Sequence, residues 1–145
     1  MQRISWVEVR GAITGTGPGH LSTASASGVP HVSTVFAVVD GEGLVFTMRV
    51  GSGKHQNLLT NPHCALMWQG NGAETYVWAE VSLTNDQQLK SRLWNDGLFP
   101  FDLSMFYEDE TSDDWVIAEL RPMRATVMAQ TDNGLVRQVW TADAS

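Results

Sequence analysis

Clusters of Gly, Asn and Asp punctuate this chain at Ala26-Ser27-Gly28, Asp40-Gly41-Glu42-Gly43, Gly70-Asn71-Gly72 and Asp132-Asn133-Gly134, each between runs rich in β-branched and aromatic residues. Such clusters supply the backbone conformations of tight turns, so the runs between them read as short antiparallel strands. "HLSTAS" (20–25) and "PHVSTVFAVVD" (30–40) form a hairpin, and "LVFTM" (44–48) extends it to a three-stranded meander. Within 30–40, Val32, Thr34, Phe36 and Val38 share one face while His31, Ser33, Val35, Ala37 and Val39 share the other, so apolar groups lie on both. "HCALMWQ", "ETYVWAEVSL" and "DWVIAEL" add three strands, and "RATVMAQ" and "LVRQVW" a last hairpin around Asn133-Gly134. Two short helices are expected. One runs over 52–60 behind Ser52 as N-cap and stops before Pro62. The other runs over 85–95 with Leu89 and Leu93 on one face. About six to eight short strands with two small helices predict a mainly β fold, a closed or nearly closed antiparallel barrel.

A chain of 145 residues without repeats or linkers reads as one domain spanning 1–145, and a domain of that size buries roughly 68–70% of its unfolded surface without a covalent staple. The single Cys64 excludes an internal disulfide and a Cys-rich zinc site, and fits a buried thiol in a reducing compartment. No segment approaches the roughly 18 apolar residues of a membrane span, so a soluble, cytoplasmic protein with no membrane partner is expected. A formal charge of −7 argues against a nucleic-acid partner. Glu108, Asp109, Glu110, Asp113 and Asp114 crowd one segment, which reads as a solvated loop rather than a metal cage.

Against that acidic background, Arg49 and Lys54 are the only Lys or Arg between Gly11 and Gln88, and they flank Gly51-Ser52-Gly53 at the start of the first expected helix. Backbone N–H groups, a hydroxyl and two cations at a helix N-terminus outline a phosphate site. The alternative is a helix cap with two surface cations. The spacing is not that of a Walker loop. The four histidines, His20, His31, His55 and His63, show no metal-ligand spacing, so no metal is assigned. No G-x-S-x-G elbow places a nucleophile. The six tryptophans are read as core and interface residues.

The stretch 19–69 carries in order L-x-T, G-x-P-x-V-S, L-x-F-T, S-x-K-x-x-N-L and N-P before an apolar strand. In this it resembles the pyridoxamine 5'-phosphate oxidase-like flavin-binding proteins, especially their small general-stress-protein and F420-related branches. "VSLTNDQQLKSRLWNDGLFPF" is similar to the helix and aromatic segment of the stress-protein branch. The resemblance implies an antiparallel split β-barrel of Greek-key type that binds FMN, with F420 as the alternative. It also implies a homodimer with cofactor sites across the interface, and an oxidoreductase acting on a small-molecule substrate or a non-enzymatic flavin-binding stress protein. Carried over residue by residue, Ser52 and Lys54 hold the phosphate with Gly53 between them in the cofactor-binding turn, Thr47 and Met48 meet the ribityl chain and ring edge, and Ser33, Thr34 and Val35 line the ring with backbone groups. Arg49 joins this set on its charge alone. The vitamin-B6 oxidases carry Arg and Lys near the positions of Ser33 and Val38 and Arg at that of Gly53, so the resemblance does not extend to that activity. FAD and haem stay open as ligands, although no axial histidine for haem can be assigned.

Overall fold

The computed structural model describes residues 1–143. Strands β2 (Gly19–Ala24) and β3 (Pro30–Val35) form the first hairpin, and β4 (Val38–Asp40) pairs with β5 (Gly43–Arg49). Helix α2 (Gly53–Thr60) leads into β6 (His63–Gly70), β7 (Ala73–Thr84) and helix α3 (Gln87–Asn95), and a 3-10 turn (Leu103–Met105) precedes β8 (Trp115–Thr131) and β9 (Gly134–Thr141). β1 (Gln2–Arg3) and helix α1 (Trp6–Ile13) stand before them.

The nine strands make one sheet in the order β1-β9-β8-β7-β6-β2-β3, with β5 and then β4 branching from β8. The branch arises because β8 is long. Its first part pairs with β5 from Trp115 to Leu120, and its second part with β9 from Arg124 to Thr131, while β7 runs along the other edge. Pro122 marks the changeover. Ala79 faces Pro122 and Trp78 faces Arg124, so Met123 is an extra residue in a bulge that bends the strand. β3 and β4 are joined by Phe36 and Ala37 alone, which brings the two ends of the sheet together, and among the described residues no ladder pairs β3 with β5.

Three expectations are corrected here. The sheet is mixed, since β1 runs parallel to β9; strands separated by the whole chain need no tight turn between them, so either direction is open. The 114–120 and 124–130 segments form one strand, because the bulge accommodates Pro122 without ending the ladder. The 30–40 segment is two strands, broken at Phe36 where it passes from one branch of the sheet to the other. A third helix, α1, also joins the two expected. Ser5 accepts from Glu8 N–H while the Glu8 carboxylate accepts from Ser5 N–H, a reciprocal cap that starts the helix.

The main core lies inside the curved sheet, where Leu21, Phe46, Met48, Leu66, Trp68, Val77, Ala118 and Leu120 meet Val9 and Ile13 of α1 and Leu58 of α2. Gly19 is required there, since a Cβ would lie 2.7 Å from Trp68 Nε1. A second cluster gathers Val45, Ile117 and Trp115 from the outer face of β5 and β8 under Leu93 of α3 and Phe99, Leu103 and Tyr107 of the following loop. Two buried faces explain why "LVFTM" and "WVIAEL" read as continuous apolar runs rather than alternating ones. Cys64 is buried in β6, as expected. Among the described residues no helix is long and apolar enough to cross a membrane.

Candidate functional site

The turn after β5 is built by its own sequence. Gly51 takes a positive φ of 86°, which a side chain would disfavour, and its N–H donates to His55 Nδ1 at 2.9 Å. Ser52 caps α2 by accepting from His55 N–H. The N–H groups of Gly53 and Lys54, in the first turn, have no hydrogen-bond partner among the described residues, as helix geometry dictates. α2 is held to the sheet by Leu58, buried in the core, and by Asn57 donating to the buried Thr23 hydroxyl at 3.1 Å.

Lys54 is half-buried, and among the described residues its ammonium has neither a carboxylate within 4.0 Å nor a hydrogen bond. Burial alone lowers its pKa. An incompletely hydrated cation without a partner at a helix N-terminus favours an anion.

A cavity of about 300 Å³ opens beside it, lined by Thr34 and Val35 of β3 and Phe36 after it, Thr47, Met48 and Arg49 of β5, Lys54 of α2, and Phe101, Phe106 and Tyr107 of the loop after α3. Six of the nine site residues read from the sequence thus share one cavity. Ser33, Ser52 and Gly53 lie outside its lining. Ser52 and Gly53 sit at the start of α2, and Ser33 lies on β3, its Oγ buried with no hydrogen-bond partner among the described residues. Because β3 pairs only with β2, its other edge leaves the backbone N–H and C=O of alternate residues free, Thr34 among them.

Arg49 lies across the Tyr107 ring at 5.6 Å, donates to the Phe106 carbonyl and approaches Asp114 at 3.6 Å. It therefore ties the aromatic loop to the end of β5, in addition to lining the cavity. The Tyr107 hydroxyl and Thr47 Oγ1 share a hydrogen bond at 3.1 Å; burial raises the Tyr107 pKa, with the Thr47 bond and the Arg49 charge opposing. The ring stacks at 5.2 Å on Trp115, whose indole also lies under Lys90 Nζ at 4.5 Å. Phe101, Phe106 and Tyr107 were not singled out from the sequence, and a contact such as Arg49 to Phe106, 57 residues apart, leaves no local signal. His31 lies on β3. Its Nε2 would lie 3.3 Å from a Cβ at Gly53, so the imidazole fills the space beside the helix start. Among the described residues no group of three or more His, Cys, Asp or Glu could hold a metal ion.

The family model described as pyridoxamine 5'-phosphate oxidase matches residues 6–128. The chain belongs to the pyridoxamine 5'-phosphate oxidase family. Membership therefore extends beyond the 19–69 stretch into α1 and most of β8. Among solved structures of the same fold is general stress protein 26 from Bacillus anthracis strain Sterne, with 18% identity over 84% of this chain and 92% of that one and a TM-score of 0.69. A pyridoxamine 5'-phosphate oxidase-related, FMN-binding protein from Nostoc punctiforme shares 14% identity, covering 96% of this chain and 87% of that one, with a TM-score of 0.68. An F420 reductase shares 27% identity over 74% of this chain and 87% of that one, with a TM-score of 0.56. No curated protein matches the chain.

Proposed function

We propose that this family member is an FMN-dependent oxidoreductase acting on a small molecule, with the cofactor held in the Lys54 cavity of a split barrel of Greek-key type that works as a homodimer. The single observation that carries the reading is the unpartnered, half-buried Lys54 beside the free N–H groups of Gly53 and Lys54, at one end of a cavity walled by aromatic rings. Those residues fit a ligand with an anionic end and a flat apolar body. Lys54, the start of α2 and the Ser52 hydroxyl hold the phosphate. Thr47 and Met48 flank the chain that follows, and the β3 edge around Ser33, Thr34 and Val35 lines the ring, with the free backbone groups of Thr34 offered to its polar rim. Arg49 clamps the Phe106–Tyr107 segment over the cavity and keeps water out. When bound, the flavin supplies the hydride or electron transfer, so no nucleophile is needed from the protein.

F420 is the second reading, favoured by the 27% identity with an F420 reductase. Titrating the protein with FMN, riboflavin and F420 tests both. FMN is expected to bind at micromolar concentration. Lys54→Ala is expected to weaken it about ten- to a hundredfold, the loss of a shielded charge-assisted bond of about 1.5–3 kcal/mol. Riboflavin, without the phosphate, is expected to bind both forms alike. Equal losses for FMN and riboflavin would assign Lys54 to the loop instead of the phosphate, and tighter binding of F420 than FMN would select the second reading.

A further inference from the structure

A second cavity, of about 510 Å³, shares Phe36 with the first. Its walls are the 36–39 segment and the 97–100 loop, with the end of α1 and the glycines after it behind them. No charged side chain lines it among the described residues. Its one side-chain hydroxyl, Thr14, already donates to the Arg10 carbonyl at 2.7 Å. What remains polar is backbone. Phe36 and Ala37 lie between β3 and β4, belong to no ladder, and make no main-chain hydrogen bond among the described residues, although Ala37 is only 8% exposed. Buried peptide groups are nearly always paired, so two unpaired ones in a cavity wall invite a ligand's polar atom. Phe36 meets Phe101 edge-on at 5.1 Å, and Phe101 lines the first cavity. The partition between the two spaces is thus made partly of these two rings.

We propose that this second cavity binds an uncharged, largely apolar small molecule with a carbonyl-type oxygen for the free N–H of Phe36 or Ala37, on the far side of the Phe36 and Phe101 rings from the first cavity. The assignment rests on the lining and the unpaired peptide groups of this cavity and is independent of the flavin reading of its neighbour. A charged group would be desolvated among Val38, Val39, Leu98 and Phe99 with no counter-ion. The cavity's size is within the roughly 300–1,000 Å³ usual for small-molecule sites.

The test uses the full chain loaded with FMN and a matched pair of probes, menadione and menadione sulfonate, followed by calorimetric titration. Menadione is expected to bind at least about tenfold more tightly than the sulfonate, since only the latter brings a charge to desolvate. Leu98→Trp, which fills the cavity, is expected to weaken menadione about tenfold while leaving the FMN Kd unchanged; Leu98→Lys is expected to reverse the preference between the probes. Equal affinity for the two probes, or menadione binding untouched by both substitutions in folded protein, would overturn the proposal while leaving the flavin reading intact. If FMN fails to bind but the unloaded chain keeps the menadione preference and its loss in Leu98→Trp, the flavin reading falls and the cavity's selectivity stands.

Discussion

Cys64 shows how one buried atom ties stability to pH. Its thiol sits in β6 with burial as the sole cause of a pKa pushed up from 9.0 to about 12. The folded state therefore holds this proton more tightly than the unfolded chain. The sign follows: the contribution is complete below pH 9.0 and is lost as pH rises from there towards 12, by about 1.4 kcal/mol per pH unit. Cys64→Ala should be less stable than the parent at pH 7 because it leaves a small cavity, and the difference should shrink by about 1 kcal/mol between pH 9 and pH 10. Urea unfolding of both proteins at the three pH values checks this; a constant difference would mean that the thiol ionises freely in the fold. Residues such as Cys64, Ser52 and Lys54 were legible in the sequence because their roles are local: a cysteine in an apolar run, a serine before a helix, a cation in its first turn. Tyr107 was not, because its place in the site depends on Thr47, 60 residues away.

Among the elements, legibility follows the same division between local and distant causes. The turns at Gly28, Gly41, Gly72 and Gly134 all take positive φ, and the hairpins they join are where the punctuation put them. What the sequence did not disclose is β8 as one strand shared by β5 and β9, because Pro122 ends a strand unless a bulge beside it, here at Met123, absorbs it. α1 is a different case, since its signal is present as Ser5-x-x-Glu8 and the helix that follows is only eight residues long. So short a helix owes its existence to docking Trp6, Val9 and Ile13 on the core and to the cap that begins it. Ser5→Ala should destabilise the protein by about 1 kcal/mol, whereas Ser5→Asp should retain most of the stability, because aspartate also accepts from the helix N–H groups. Thermal unfolding of the two variants beside the parent measures it; equal losses would show that the packing of Trp6 against Trp140, at 4.9 Å, and not the cap, holds the helix.

At the scale of the molecule, the outer face of the sheet is the feature left without a partner. The strand registers align Val32, Ser22, Ala65, Trp78 and Arg124 in one row and Thr34, His20, Met67, Tyr76 and Thr126 in the next. Val32 is 70% exposed, and the Arg124 guanidinium lies 3.9 Å above the Trp78 ring. Beside these rows β3 presents an open edge, which soluble proteins usually cover or defend with charge. Here its exposed side chains include His31, Val32 and Thr34, and no charge of its own blocks pairing. A second copy placed on this face by a two-fold axis would cover Val32 and the aromatic rows with the same surface from its partner. The chain is therefore expected to sediment as a dimer, and Val32→Glu, which puts two like charges near the axis, to sediment as a monomer. If the partner completes the cofactor site, that monomer should also lose FMN affinity although Lys54 and its cavity are intact. A Val32→Glu protein that remains dimeric would place the interface elsewhere on the sheet, and a monomer that binds FMN as tightly as the parent would mean that each chain builds its site alone.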